Sequence, residues 1–228
     1  MRSAKILNSL ETLRQIKVPI TAIIDVGIQH ETPVLKKVFH DLHHILFEPI
    51  NDYFPFIKKN YSDFSYDLIE AAVSDIDGEI IIHSERKTRG DEISHSYIVN
   101  KATDSSRNIK SITLDSYFSQ NPIEDNYLLK IDVEGANVPS QILTGSKDVL
   151  TKASVVVIEM TVDKFMERAI ILDQAGFDLW DLCDLCYYGD CLWQTDAIFI
   201  RREIKENNPA LKPMHNQPFK PELWQSGF

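Results

Sequence analysis

The sequence predicts one α/β domain built on a seven-stranded, mostly parallel sheet with helices on both faces and an antiparallel terminal strand pair. Three observations lead there. The runs at residues 20–26, 44–47, 127–132 and 154–159 are dominated by apolar, often β-branched side chains, which marks strands covered on both faces rather than on one. Helix signals stand between them, so successive strands can run in the same direction through crossovers. The last two extended stretches, 177–182 and 192–201, are joined only by 183–191, too short for a crossover helix, and should pair antiparallel.

In chain order, Ile6, Leu7, Leu10, Leu13 and Ile16 recur at near-helical spacing. They predict a short amphipathic helix within 1–19, lying against the domain proper. Pro19 and Gly27 bound the first strand. Thr32 can cap the next helix, and Pro33 suits its first position, where no N–H is needed. Val34, Leu35, Val38, Phe39 and Leu42 mark that helix's inner face. A second strand ends at Glu48-Pro49, a helix is expected over 51–59 and a third strand over 66–73, completing a βαβαβ unit. Asp77-Gly78, between Val73 and Ile80-Ile81-Ile82, is the pair a tight hairpin turn prefers, because glycine takes positive φ without steric cost. The polar, aperiodic stretch 84–110 is expected to be a long loop or lid with one strand in it. The strand at 127–132 leads to a helix from Asn137 to about Gly145, and that at 154–159 to a helix over 161–175 closed by Gly176. The domain proper then spans 20–202. Beyond it a tail at 203–228, with Pro209, Pro213, Pro218 and Pro221, should run extended along the surface.

Composition narrows the function. The 228 residues are 43% hydrophobic and 25% charged, an ordinary globular balance. Lys+Arg 24 against Asp+Glu 34 leaves a net charge of −10, which argues against a nucleic-acid partner, because that affinity comes from basic neutralisation of phosphates. No run approaches the roughly 18 apolar residues of a membrane span. Glu11, Arg14 and Lys17 fall where a secretory signal would need an apolar core. Cys183, Cys186 and Cys191 form an odd, clustered set unlike a disulfide framework. A cytoplasmic location is expected.

Asp25-Val26-Gly27 stands where the first strand turns toward the first crossover, the edge at which doubly wound sheets meet nucleotide-like ligands. Glycine there should let the backbone approach a ligand closely. Glu48 follows at the tip of the second strand, near the offset at which an acidic side chain accepts hydrogen bonds from a ribose diol. A pyrophosphate would want G-x-G-x-x-G, yet Gly27 is followed by Ile28-Gln29-His30-Glu31, with a carboxylate where the anion would sit. S-adenosylmethionine has the ribose, lacks the phosphate and carries a positive sulfonium that acidic groups favour.

The run Leu128-Leu129-Lys130-Ile131-Asp132-Val133-Glu134-Gly135-Ala136 resembles the signature of FkbM-type S-adenosylmethionine-dependent methyltransferases. Around it, in the family's order, stand Ile24-Asp25-Val26-Gly27, Phe47-Glu48-Pro49, Ala71-Ala72-Val73-Ser74-Asp75 with Asp77-Gly78, Thr113-Leu114-Asp115, Val157-Ile158-Glu159 and 192–199. The resemblance covers roughly residues 20–202 and implies a Rossmann-like fold. It also implies cofactor binding by Asp25, Gly27 and Glu48, adenine contacts around Ser74 and Asp75, and a catalytic edge at Asp132 and Glu134. O-methylation of a sugar, glycan or secondary-metabolite hydroxyl is the implied reaction. The alternatives are N-methylation of an amide or amine, and an inactive cofactor-binding partner subunit. His30 is a lower-ranked base. One departure is Glu31, which stands where the family's loop has its second glycine.

Other motifs read more simply. Cys183-x-x-Cys186 with Cys191 lacks a fourth zinc ligand. His40, His43 and His44 do not form H-E-x-x-H, and Asp75-Ile76-Asp77-Gly78 has its glycine too early for a calcium loop. Asp132 and Glu159 end neighbouring strands and could clamp a divalent ion; binding cofactor and helix N-termini without metal is the favoured reading. Trp180, Tyr187, Tyr188 and Trp193 offer either a sugar-stacking face or plain core.

Overall fold

The computed structural model describes residues 4–86, 93–98, 106–212, 218 and 220–224. The chain opens with α1 (Ile6–Gln15), then β1 (Ala22–Val26), α2 (Pro33–Val38), β2 (His43–Phe47), α3 (Phe54–Asn60) and β3 (Tyr66–Ile69). Next come β4 (Ala72–Val73), β5 (Gly78–Arg86), β6 (Ile93–Ile98), β7 (Ser106–Ile112) and α4 (Leu114–Gln120). The second half holds β8 (Tyr127–Ile131), α5 (Val138–Thr144), α6 (Lys147–Lys152), β9 (Ala153–Thr161), α7 (Phe165–Gln174), β10 (Phe177–Tyr188), β11 (Cys191–Arg201) and α8 (Arg202–Asn207).

Seven of these strands form one sheet in the order β10-β11-β9-β8-β1-β2-β3. Strands β1, β2, β3, β8 and β9 pair in parallel, while β11 runs antiparallel to both β9 and β10. Because side chains alternate faces along a strand, β1 sends Ile24 and Val26 to one layer and Ile23 to the other. The first layer joins them to Leu114 of α4, Ile142 of α5, Val149 of α6 and Leu172 of α7. The second joins Ile23, Leu128 and Val155 to Leu10 and Leu13 of α1 and Leu35 of α2. This is the expected α/β architecture, with helices on both faces. No helix among the described residues is long and apolar enough to cross a membrane.

A second sheet, in the order β4-β7-β5-β6, was not expected. The third strand predicted over 66–73 is two: β3 stays in the main sheet, and β4 leaves it to pair with β7. Gly78 does take a positive φ of 141°, but the hairpin expected between Val73 and Ile80 does not form. Strand β7 lies between, parallel to β4 and antiparallel to β5. The stretch 84–110, expected to be a loop or lid with one strand, supplies the end of β5, all of β6 and most of β7; its remainder at 87–92 and 99–105 lies outside the described residues.

Smaller differences have local causes. Thr32 makes no side-chain cap; it is buried, and its N–H donates to the Tyr61 hydroxyl at 3.3 Å. The terminal strands run on through 183–188 and turn at Gly189-Asp190, so the expected nine-residue connection is mostly strand. The tail begins as α8 rather than extended chain, and Leu211 beyond it returns to the second apolar layer.

Candidate functional site

The carboxyl ends of β1, β2 and β8 open into a cleft whose opposite wall is the second sheet. Val26, Gly27 and Gln29 line it from β1 and its loop, Phe47 to Ile50 from β2, and Asp132, Val133 and Glu134 from the end of β8. Ala71, Ala72 and Val73 with Ile80 and Ile82 of β5 close the far side. Apolar walls thus surround three carboxylates, Glu48, Asp132 and Glu134, and no lysine or arginine lines the cleft among the described residues.

Gly27 has φ +85°, and a Cβ there would stand 2.0 Å from the Asp132 carbonyl oxygen and 2.7 Å from Val133 Cγ1. The glycine expected to admit a ligand is first required by the close passage of β1's end beside β8's end. Asp132 N–H donates to Val26 O at 3.0 Å and Gly27 N–H to Phe47 O at 3.1 Å, locking the three strand ends together. Glu48 is 3% exposed. It accepts the N–H of Gln29 on Oε2 at 2.9 Å and that of Ile50 on Oε1 at 2.8 Å. Burial pushes its carboxyl up to about 7 despite those donors.

Behind the cleft a second charged group spans the sheet. Lys130 is buried, with Nζ 3.0 Å from Asp132 Oδ2 and 3.4 Å from Oδ1 of the fully buried Asp25. Burial opposes its charge, but Asp25 and Asp132 outweigh that and push its pKa up. On β9 and β11, Glu159 and Asp196 are register partners. Burial, and then Asp132, raises both, to about 7 and about 6. Gln194 Nε2 donates to Glu159 Oε2 at 2.6 Å.

Of the residues expected at the site, the structure brings Gly27, Glu48, Asp132 and Glu134 together around the cleft. Asp25 sits beneath it in the Lys130 pair. Ser74 and Asp75 are outside the lining. Ser74 is buried beside Gly145, whose Cβ would meet its carbonyl oxygen at 2.4 Å, and its hydroxyl donates to Asp75. His30 packs edge-on between Tyr53 and Phe56, at 4.8 and 4.7 Å between ring centroids. Glu31 turns to Lys36 Nζ at 2.5 Å. Lys130 was missed, although a lysine inside a strand buried on both faces already demanded a partner. No group of three or more His, Cys, Asp or Glu able to hold a metal occurs among the described residues.

The sequence matches the methyltransferase FkbM domain over residues 25–206. The chain belongs to the FkbM family of S-adenosylmethionine-dependent methyltransferases. No relative is found for it among curated protein sequences. Solved structures similar to this methyltransferase include an rRNA methylase from Streptococcus thermophilus, at 13% identity and TM-score 0.48, covering 85% of this chain and 93% of that one. The fibrillarin pre-rRNA processing protein of Methanococcus jannaschii aligns at 12% identity and TM-score 0.49, covering 82% and 68%. Magnesium protoporphyrin IX methyltransferase from Synechocystis PCC 6803 with bound SAM aligns at 7% identity and TM-score 0.47, covering 86% and 77%.

The residues of the cleft suit the family's cofactor. Each Glu48 oxygen uses one lone pair on a backbone N–H and keeps another for a hydroxyl donor. The apolar wall can cover a flat ring, and a lining that holds carboxylates and, among the described residues, no cation favours a sulfonium over a phosphate.

Proposed function

We propose that this methyltransferase acts on a hydroxyl oxygen of a sugar, glycan or secondary metabolite, with S-adenosylmethionine held between Gly27, Glu48 and Asp132. The charge of the cleft carries the reading: among the described residues its lining holds three carboxylates and no basic residue. When bound, the cofactor supplies a methyl group on a positively charged sulfur. Glu48 takes the ribose diol, and Phe47, Ala71, Ala72 and Val73 cover the adenine. Asp132 and Glu134 orient the acceptor hydroxyl and one of them takes its proton, which must leave as the oxygen gains the methyl. Lys130 holds Asp132 by one oxygen, leaving the other for the acceptor. His30, enclosed by two rings, ranks below them as a base. The odd, clustered set of Cys183, Cys186 and Cys191 supports a reducing, cytoplasmic setting.

Calorimetry on Glu48→Ala tests the cofactor assignment. The variant should bind S-adenosylmethionine more weakly by about 1.5–3 kcal/mol, the range for hydrogen bonds to a charged group. Unchanged affinity, or tight binding of NAD by the parent, overturns it. Labelled S-adenosylmethionine offered with hydroxyl-bearing glycans and metabolites beside amines and amides then tests the acceptor, and label reaching nitrogen alone rejects O-methylation.

A further inference from the structure

Arg168 lies on α7 and is 1% exposed, one of the largest fully buried side chains in the molecule. Arginine on an outer helix normally faces water, and a guanidinium taken out of water is costly unless its donors are met. Two of its three nitrogens reach main-chain carbonyls on separate elements, while Nε is buried without a hydrogen-bond partner among the described residues. Nη1–H donates to Glu159 O near the end of β9 at 2.9 Å, and Nη2–H to Ala136 O at 2.8 Å. Ala136 belongs to the loop that leads from β8 into α5. At one end Asp132 N–H is held by Val26 O. At the other, Gly135 turns through φ +106° and its carbonyl accepts from Val138 N–H. Asp132, Val133, Glu134 and Val138 all line the cleft.

We propose that Arg168 is a positioning residue, whose fork ties the 132–138 loop to the end of β9 and so keeps the loop in the form that walls the cofactor cleft. The proposal rests on the reading of that cleft as the S-adenosylmethionine site. Without the fork, the loop between Asp132 and Val138 gains freedom that cofactor binding must remove. Lysine keeps the charge but is a point donor that cannot span two carbonyls in fixed geometry.

S-adenosylhomocysteine is the probe, with the full chain as parent, R168K and R168M. Calorimetry, hydrogen exchange at residues 133–137 and thermal melting are read together. R168K should fold, bind the probe about tenfold more weakly, equivalent to about 1.4 kcal/mol, and exchange faster at 133–137. R168M should lose more on both readouts. Should R168M fail to fold, R168K decides. Parent-like affinity and parent-like exchange in R168K overturn the proposal, as does a lowered melting temperature with both unchanged, which is the mark of a merely structural arginine. If the parent itself does not bind the probe, the cofactor reading of the cleft fails instead, and exchange at 133–137 without ligand still reports on the tether.

Discussion

The two sheets that face each other across the cleft are held by different means. In the seven-stranded sheet β1 and β8 are buried along their whole length, and Gly27 at the end of β1 has backbone 2.0 Å from where a Cβ would stand. In the four-stranded sheet Gly78 opens β5 with nothing within 4 Å of the same point. That strand gives Ile80 and Ile82 to the cleft, while Glu79 beside them and Asn108 and Lys110 of β7 are exposed. One wall is fixed by packing on every side; the other has an outer face free to vary. On the proposed reading of the cleft, cofactor grip falls to the first wall, and variation in acceptor choice costs less on the second.

The largest effect should separate the two glycines. Gly27→Ala sets a methyl against the Asp132 carbonyl and must displace one strand end, so a loss of more than about 4 kcal/mol, or no folding, is expected. Gly78→Ala meets open space and bears only the strain of its φ, about 1–3 kcal/mol. Chemical denaturation giving equal losses would remove the contrast.

Lys130→Met comes next. It leaves Asp25 buried without its cation, and breaking a buried pair costs about 3–5 kcal/mol. The double variant Lys130→Met with Asp25→Leu should recover most of that, since apolar replacements of a buried pair are near neutral. Lys110→Met on the exposed β7 should change stability by less than about 0.5 kcal/mol. If both single lysine variants melt alike, the rigid wall is not rigid for the reason given.

The same contrast explains what the sequence could say. Strands covered on both faces leave continuous apolar runs, so β1, β2, β8 and β9 were readable. Glu48 and Asp132, which line the cleft, could be placed at the sheet's edge because they end such runs. The second sheet has no such mark: β4 is two residues long, and its partner β7 lies across more than thirty residues of mostly polar chain. Asp77-Gly78 signalled a turn correctly but could not say that β7 would enter between its flanking strands. Ser74 lies outside the cleft lining, and its burial against Gly145, at a helix end seventy residues away, has no mark in the local sequence. Arg168, on a helix with an exposed outer side, reads in sequence as a solvated charge.

Titration should distinguish the sheets as well. Glu48, Glu159 and Asp196, raised to about 7, 7 and 6 from ordinary values of 4.5, 4.5 and 3.8, all lie at the main sheet's carboxyl edge. Between those values the folded state keeps protons the unfolded chain has released, so stability falls as pH rises from about 4 to about 7. His44, buried and pushed down, opposes this below its unfolded value but is one group against three. Melting temperature of the ligand-free protein should therefore decline across the window. Cofactor affinity should rise as Glu48 ionises. Glu48→Gln should flatten both trends, and an unchanged pH profile in that variant would assign the titration elsewhere.

The smallest effect should be at the tie between the two walls. Arg107 of β7, the register partner of Ile82, donates from Nη1 to Asn51 Oδ1 at 3.0 Å and to Asp52 Oδ2 at 2.7 Å. These two residues begin the 3-10 turn Asn51–Tyr53, flanked by the cleft residues Ile50 and Tyr53. The geometry suggests a latch, but the side chains of Arg107 and Asp52 are 32% and 43% exposed. An exposed pair is worth about 0.2–1 kcal/mol and is screened by salt. Arg107→Ala should therefore cost no more than that in stability, weaken cofactor binding by less than about fivefold, and lose both effects at about 1 M salt, where the Debye length is about 3 Å. Ile57 and Tyr61 behind the turn are fully buried, so the turn has its own support. A salt-independent loss as large as that of Lys130→Met would mean that the second sheet holds the cleft as firmly as the first.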